Sequence, residues 1–297
     1  MELHFVKLIF TVTFNSGLTD AYALFGCRAH FEAAFRKAVN CRRGDCAGCR
    51  LGAGCPYPAN FGQALAQDPD AIRRHQKPPL PFVFRFPVIP SAPSHGVTAE
   101  CALTLFGCAV QDACHFIVAT RFLMAGMGGA VTAVEADCPG GGRTPVADAA
   151  QPALPLLSGL DPTGTGPLSP DRLTISFLTP LKLMNEGRLL KEVTFPNIAR
   201  ALMRRVSSLA YYYDGAEPQL DYRWLSQRSD SVSTVSSGCR FVSWNGRPAG
   251  ITGTLCFHGD LEPFHLLLQL GVATQLGKGA SFGFGAYRIE SASSSPP

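Results

Sequence analysis

Leu276-Gly277-Lys278-Gly279-Ala280-Ser281-Phe282-Gly283-Phe284-Gly285-Ala286-Tyr287 places four glycines within nine positions around one lysine. Glycines let backbone N–H groups approach an anion closely, so this stretch can cradle a phosphate. A helix C-cap with a tight turn would account for only one or two of them. Nucleotide-binding glycine loops follow a strand and open a helix. This one follows an apolar helical pattern and feeds a strand-like run, Tyr287 to Glu290, which excludes both the P-loop and the dinucleotide fingerprint. Cys41, Cys46, Cys49 and Cys55, spaced C-x4-C-x2-C-x5-C, are a second chemical group. Four thiolates would close a tetrahedral structural zinc site with no position left for a water. Free thiols are the next reading and an iron–sulfur cluster the third. Tyr222, Arg223, Trp224 and Arg228 mix aromatic and guanidinium groups of the kind that stack on single-stranded bases. They lie in a polar stretch, Asp221 to Ser237, that is equally an ordinary loop composition.

The elements that must position these residues follow from the apolar pattern. With 297 residues and 46% hydrophobic content, the chain can bury one large or two small cores. A net charge of +4 permits a nucleic-acid partner without demanding one. No apolar run approaches a membrane span. Met1 to Phe14 reads as a strand and not a signal peptide, since it lacks a small-residue cleavage site. Eleven cysteines, odd in number and unevenly clustered, argue against a secreted disulfide framework and point to the cytoplasm.

Strand signals at Leu3 to Phe14, Phe82-Val83, Thr98 to Cys108 and Ala130 to Val134 alternate with helical periods at Ala21 to Val39 and Val110 to Met124. Gly126-Met127-Gly128-Gly129 carries no basic residue and reads as packing. The order is β-α-β-β-α-β, a ferredoxin-like plan. Cys138 to Pro170, dense in Pro, Gly, Ala and Thr, reads as a mobile linker or long loop. The plan then repeats. A half-buried strand begins at Arg172, and Thr194-Phe195-Pro196 caps a helix with stripe Phe195, Ile198, Leu202, Val206, Leu209, Tyr213. Asn245-Gly246 turns a hairpin. Asp260 caps a last helix, and the glycine stretch leads into the last strand. The expected class is α+β: two tandem ferredoxin-like (RRM-like) βαββαβ domains over residues 1–137, with a Cys-rich insertion about 41–60, and 171–290. Residues 138–170 link them and 291–297 form a disordered tail.

Gly259-Asp260-Leu261-Glu262-Pro263-Phe264, taken with Gly277-Lys278-Gly279 and Phe282-Gly283-Phe284-Gly285, resembles the C-terminal signature of the CRISPR repeat-processing endoribonucleases of the RAMP superfamily. Cys55-Pro56-Tyr57 with Phe61, and Leu173 to Leu181 with Gly187-Arg188-Leu189, match further segments of that family. The resemblance implies tandem ferredoxin-like domains that bind precursor CRISPR RNA and cut once in the repeat. It implies no metal, and a product ending in a 2′,3′-cyclic phosphate and a 5′-hydroxyl. The implied partners are the precursor repeat, the mature guide RNA and other CRISPR effector subunits, with no membrane.

Candidate RNA-binding positions are Gly277, Lys278, Gly279, Ser281, Gly283, Gly285, Arg223 and Arg228. In the family's first-helix pattern Arg28 is the matching basic residue, and it and Lys278 would stabilise the charge of the transition state. Of the seven histidines (His4, His30, His75, His95, His115, His258 and His265), His30 is the first candidate for proton transfer, beside Arg28. Many relatives carry a histidine two residues before Gly-Lys-Gly. This chain has Gln275 there, which also motivates the alternative of a non-catalytic guide-RNA-binding subunit.

Overall fold

A computed structural model describes residues 3–15, 20–41, 46, 48–49, 51–75, 77–88, 96–147, 153–158, 168–215, 219–244 and 247–290. The first half runs β1 (Phe5–Phe14), α1 (Arg28–Ala38), α2 (Pro56–Phe61), α3 (Pro69–Arg74), β2 (Phe82–Arg85), β3 (Val97–Phe106), α4 (Ala113–Gly126), β4 (Gly129–Asp137) and β5 (Arg143–Pro145). Its antiparallel sheet has the order β2-β3-β1-β4-β5. β1 lies in the middle because its apolar run is buried on both faces, whereas the sheet edges are short. α1 and α4 cover one face, where Phe31, Phe35, Phe82, Phe84 and Phe116 interlock.

The second half runs β6 (Arg172–Leu181), a small hairpin of β7 (Met184–Asn185) and β8 (Arg188–Leu189), α5 (Phe195–Leu209), α6 (Tyr222–Ser229), β9 (Ser233–Ser237), β10 (Arg240–Trp244), β11 (Arg247–His258), α7 (His265–Thr274) and β12 (Tyr287–Glu290). The sheet order is β10-β11-β6-β12, with β9 also on β11. α5 starts where expected: Asn197 Oδ1 accepts from the Thr194 N–H at 3.0 Å, and Pro196 occupies the first turn. Its stripe of Phe195, Ile198, Leu202, Val206 and Leu209 is fully buried. Both halves therefore carry the ferredoxin-like βαββαβ plan in tandem.

Three local expectations are corrected. Residues 138–170 are not featureless: β5 pairs with β4, and Leu157 exchanges hydrogen bonds with Phe5 at 2.8 and 2.9 Å and is buried. Tyr222–Ser229 is a helix, because Asp221 caps it by accepting from the Trp224 N–H at 2.8 Å and Leu225 buries one face. Asp260 does not cap α7. Its carboxylate pairs with Arg228, and a 3-10 turn, Glu262–Phe264, opens the helix instead. The Asn245-Gly246 turn, His95 and the 291–297 tail lie outside the described residues.

Candidate functional site

The glycine stretch is a strap that runs from α7 across the seam between the two halves to β12. Two of its glycines are required sterically. At Gly285 (φ +70) a Cβ would stand 1.9 Å from Leu276 O, and at Gly277 (φ +85) 2.4 Å from Lys182 O. Much of its backbone is already committed. Lys278 N–H donates to Lys182 O at 2.8 Å, Gly285 N–H to Pro180 O at 3.0 Å, Phe282 N–H to Gly279 O and Gly283 N–H to Ala280 O. Among the described residues no protein acceptor meets the N–H groups of Gly277, Gly279, Ala280 and Ser281. The expected phosphate cradle thus narrows to those four groups and the exposed Lys278 side chain.

The strap also docks on the first half. Ser281 O accepts from Phe84 N–H of β2 at 3.1 Å, and Phe282 bridges Phe84. Phe284 meets Phe25 at a ring-centroid distance of 5.1 Å, and Phe282 meets Phe82 at 5.8 Å. Gln275 belongs to the same docking: it is buried, its Nε2 donates to Phe84 O at 2.9 Å, and its Oε1 has no protein partner. Its amide is enclosed and faces β2, away from solvent.

Three cations converge where the strap meets the first half. Lys182 follows β6, and its Nζ lies 4.3 Å from the Phe284 ring centroid. Its ammonium pKa is pushed down, first by burial, then by the charges of Lys278 and Arg28. The Arg28 guanidinium lies 6.0 Å from the Phe282 ring. The structure thus places Arg28 and Lys278 each within electrostatic reach of Lys182. His30 is placed elsewhere: exposed on α1, it lines a cavity of about 400 Å³ with Lys37, Phe122, Gly126 and Met127, between α1 and α4. Residues two apart on a helix do not share a face, so Arg28 does not bring His30 with it. Arg223 is exposed on α6, while Arg228 pairs with Asp260 and lies 5.6 Å from the Trp224 ring.

Among the described residues, no three His, Cys, Asp or Glu side chains are arranged to hold a metal ion. Of the four cysteines of the expected zinc site, Cys41 and Cys49 are half-buried. Cys55 is buried beside α2 whereas Cys46 is exposed, and none of the eleven cysteines is in a disulfide.

Beside the strap, a cavity of about 540 Å³ is lined by Arg73, Arg74, His75, Lys77, Lys182, Arg204, Arg205, Gly277 and Lys278, and no acidic side chain among the described residues lines it. Sequence reasoning missed Lys182, Arg204, Arg205 and the Arg73-Arg74-His75 run as one surface. The signal available was faint: Arg204 and Arg205 fall off the apolar stripe of α5, and the second basic run lies far away in the chain.

Tandem ferredoxin-like units joined over a glycine-rich strap define the fold class, and lysines and arginines line the seam between them. Residues 175–287 match the family model of the CRISPR-associated endoribonuclease Cas6, and residues 3–151 match that of the AF_1859 N-terminal domain. Residues 175–287 thus carry the domain of the Cas6 family, the CRISPR repeat-processing endoribonucleases, and the class of activity this match supports is CRISPR RNA processing by an RNA-cleaving enzyme.

Solved structures share the fold across the whole chain. A Cas6 product complex is 16% identical with a TM-score of 0.55, covering 97% of this chain and 100% of that one. Thermus thermophilus Cas6 is 14% identical with a TM-score of 0.53, covering 98% and 99%. A partial Cas6-RT-Cas1–Cas2 complex is 13% identical with a TM-score of 0.62, covering 97% of this chain and 46% of that one. No curated protein sequence matches the chain. No helix among the described residues is long and apolar enough to cross a membrane.

Proposed function

We propose that the protein binds precursor CRISPR RNA within its repeat and cuts it once without metal assistance. The 2′-hydroxyl attacks the adjacent phosphorus, the 5′-oxygen leaves, and the products end in a 2′,3′-cyclic phosphate and a 5′-hydroxyl. The observation that carries this reading is the convergence of Arg28, Lys182 and Lys278 beside the rings of Phe282 and Phe284. Cations held there stabilise the phosphorane charge, and the half-buried Phe282 ring offers a face for a base. Arg28 and Lys278 supply positive charge. Lys182, whose lowered ammonium pKa favours loss of a proton, serves as general base, and His30 is the second candidate for proton transfer. Gly279 and Ser281 offer backbone donors to a phosphate. Gly277, Gly283 and Gly285 shape the strap, and Arg223 with Arg228 extends the RNA surface along α6. The protein then holds the mature guide RNA for other CRISPR subunits; related chains are solved with a cleavage product and within a Cas6-RT-Cas1–Cas2 assembly.

A second reading, a guide-RNA-binding subunit without cleavage, is favoured by Gln275, whose enclosed amide supplies no proton carrier. The test is cleavage of end-labelled repeat RNA in EDTA, beside the same RNA with a 2′-deoxy at the cut site. Cutting of the first alone is expected, with a loss of about 10²-fold for Arg28→Ala and for Lys278→Ala. Tight binding without a cut would leave the second reading. Cleavage of the 2′-deoxy RNA would overturn the chemistry.

A further inference from the structure

Arg205, on α5, is a charge without a counter-ion among the described residues. Its Nε donates to Thr274 O at 2.6 Å, near the end of α7, and its Nη2 is closed off from solvent with no acceptor. Burial lowers its guanidinium pKa to about 10, which leaves it protonated at neutral pH. One carbonyl at a helix C-terminus offers only a fraction of a negative charge. A part-buried cation with an enclosed, unpaired Nη2 is unfavourable in the free protein, and an anion entering its neighbourhood would relieve it.

The cavity beside it is built to receive one. Arg204, Lys182, Lys278 and Lys77 line the same space as Arg205, and no carboxylate among the described residues does. Arg204, Lys77 and Lys278 are exposed. A group with oxygens pointing in several directions can meet donors from α5, from the segment after α3 and from the strap at once. A phosphate does this, whereas a carboxylate offers two oxygens in one plane.

We propose that this cavity is a phosphate subsite, set by the uncompensated charge of Arg205, that holds a phosphodiester of the RNA other than the one that is cut. The assignment of the phosphate to RNA rests on the function proposed above; the subsite itself rests on the cavity and Arg205.

Arg205→Met keeps the stem and removes the charge. Three quantities decide the matter on the full-length protein: the Tm of the free protein, the affinity for labelled single-stranded repeat RNA across a salt series, and the Tm change produced by inorganic phosphate. The free variant should melt at or above the wild-type temperature. Its RNA affinity should fall about tenfold, and its log affinity against log salt should be shallower by about 0.7. Phosphate should raise the Tm of the wild type and not of the variant.

Arg204→Ala, on the exposed wall of the same cavity, should show the same losses in salt slope and phosphate response. It keeps the test decisive if Arg205→Met does not fold. Wild-type slopes in the variants, together with no phosphate response in the wild type, would overturn the subsite while leaving RNA processing intact. A phosphate response in a protein that binds no RNA would keep the subsite and sink the RNA reading.

Discussion

Lys182 shows how much of the candidate site is decided by a single side chain's surroundings. Its carbonyl receives the Lys278 N–H, and its ammonium rests against Phe284 with two other cations close by. Burial, Lys278 and Arg28 all act in one direction on that ammonium. For a lysine, a lowered pKa enlarges the neutral fraction at any given pH, and the neutral amine is the form that takes a proton. The single-turnover cleavage rate should therefore rise with pH and level off below the pH at which an ordinary lysine titrates. Lys182→Arg, which cannot lose its proton, should flatten the profile and lower the rate by about 10²-fold. A wild-type profile that is flat from acid to alkaline pH would remove Lys182 from the base role. Nothing in Thr179-Pro180-Leu181-Lys182 marks this lysine in the sequence. Its chemistry comes from a ring and two cations contributed by distant segments.

At the scale of elements, the glycine strap does more packing than its composition advertises. Phe284 is buried in the aromatic cluster of the first half although it belongs to the second. Phe284→Ala removes its contacts with Phe25 and Gly279 and should cost about 3 kcal/mol of stability. Urea denaturation would measure this, and a loss under about 1 kcal/mol would show that the ring does not hold the strap. The glycine pattern was legible, and it located the strap after a helix and before a strand. That its N–H groups are largely consumed by Lys182, Pro180, Gly279 and Ala280 was not legible, because those partners are fixed only when β6 and the strap are brought side by side. Likewise α6 looked like a loop because its short apolar face is a single leucine, and only the Asp221 cap betrays it.

On the scale of the whole molecule, the two βαββαβ units are sewn together by many separate contacts. Tyr212 and Tyr213 hydroxyls, after α5, donate to His75 O at 3.0 Å and Pro79 O at 2.6 Å. Trp244 donates to Asp20 at 2.6 Å, and Phe5 and Phe106 of the first sheet belong to the core of the second half. A seam of this kind couples the units. The protein should unfold in one transition, with near- and far-ultraviolet circular dichroism coincident and calorimetric and van't Hoff enthalpies equal. Two separated transitions would show that the units are independent and that the cavity between them is not fixed.

The sequence by itself determined the βαββαβ repeat, through strand alternation and helical stripes, and located the glycine strap after a helix and before a strand. It also supplied Arg28 and Lys278 as cations. Those are local or periodic signals, written by neighbours along the chain. The tertiary structure alone decided that Arg28 and Lys278 come within electrostatic reach of Lys182 while His30 turns to another groove. It also decided that Gln275 is enclosed and that Arg205 is left without a counter-ion among the described residues. Each of these depends on which surfaces come together across the seam. No spacing rule encodes such long-range approach, because it is set by the packing of two cores against each other.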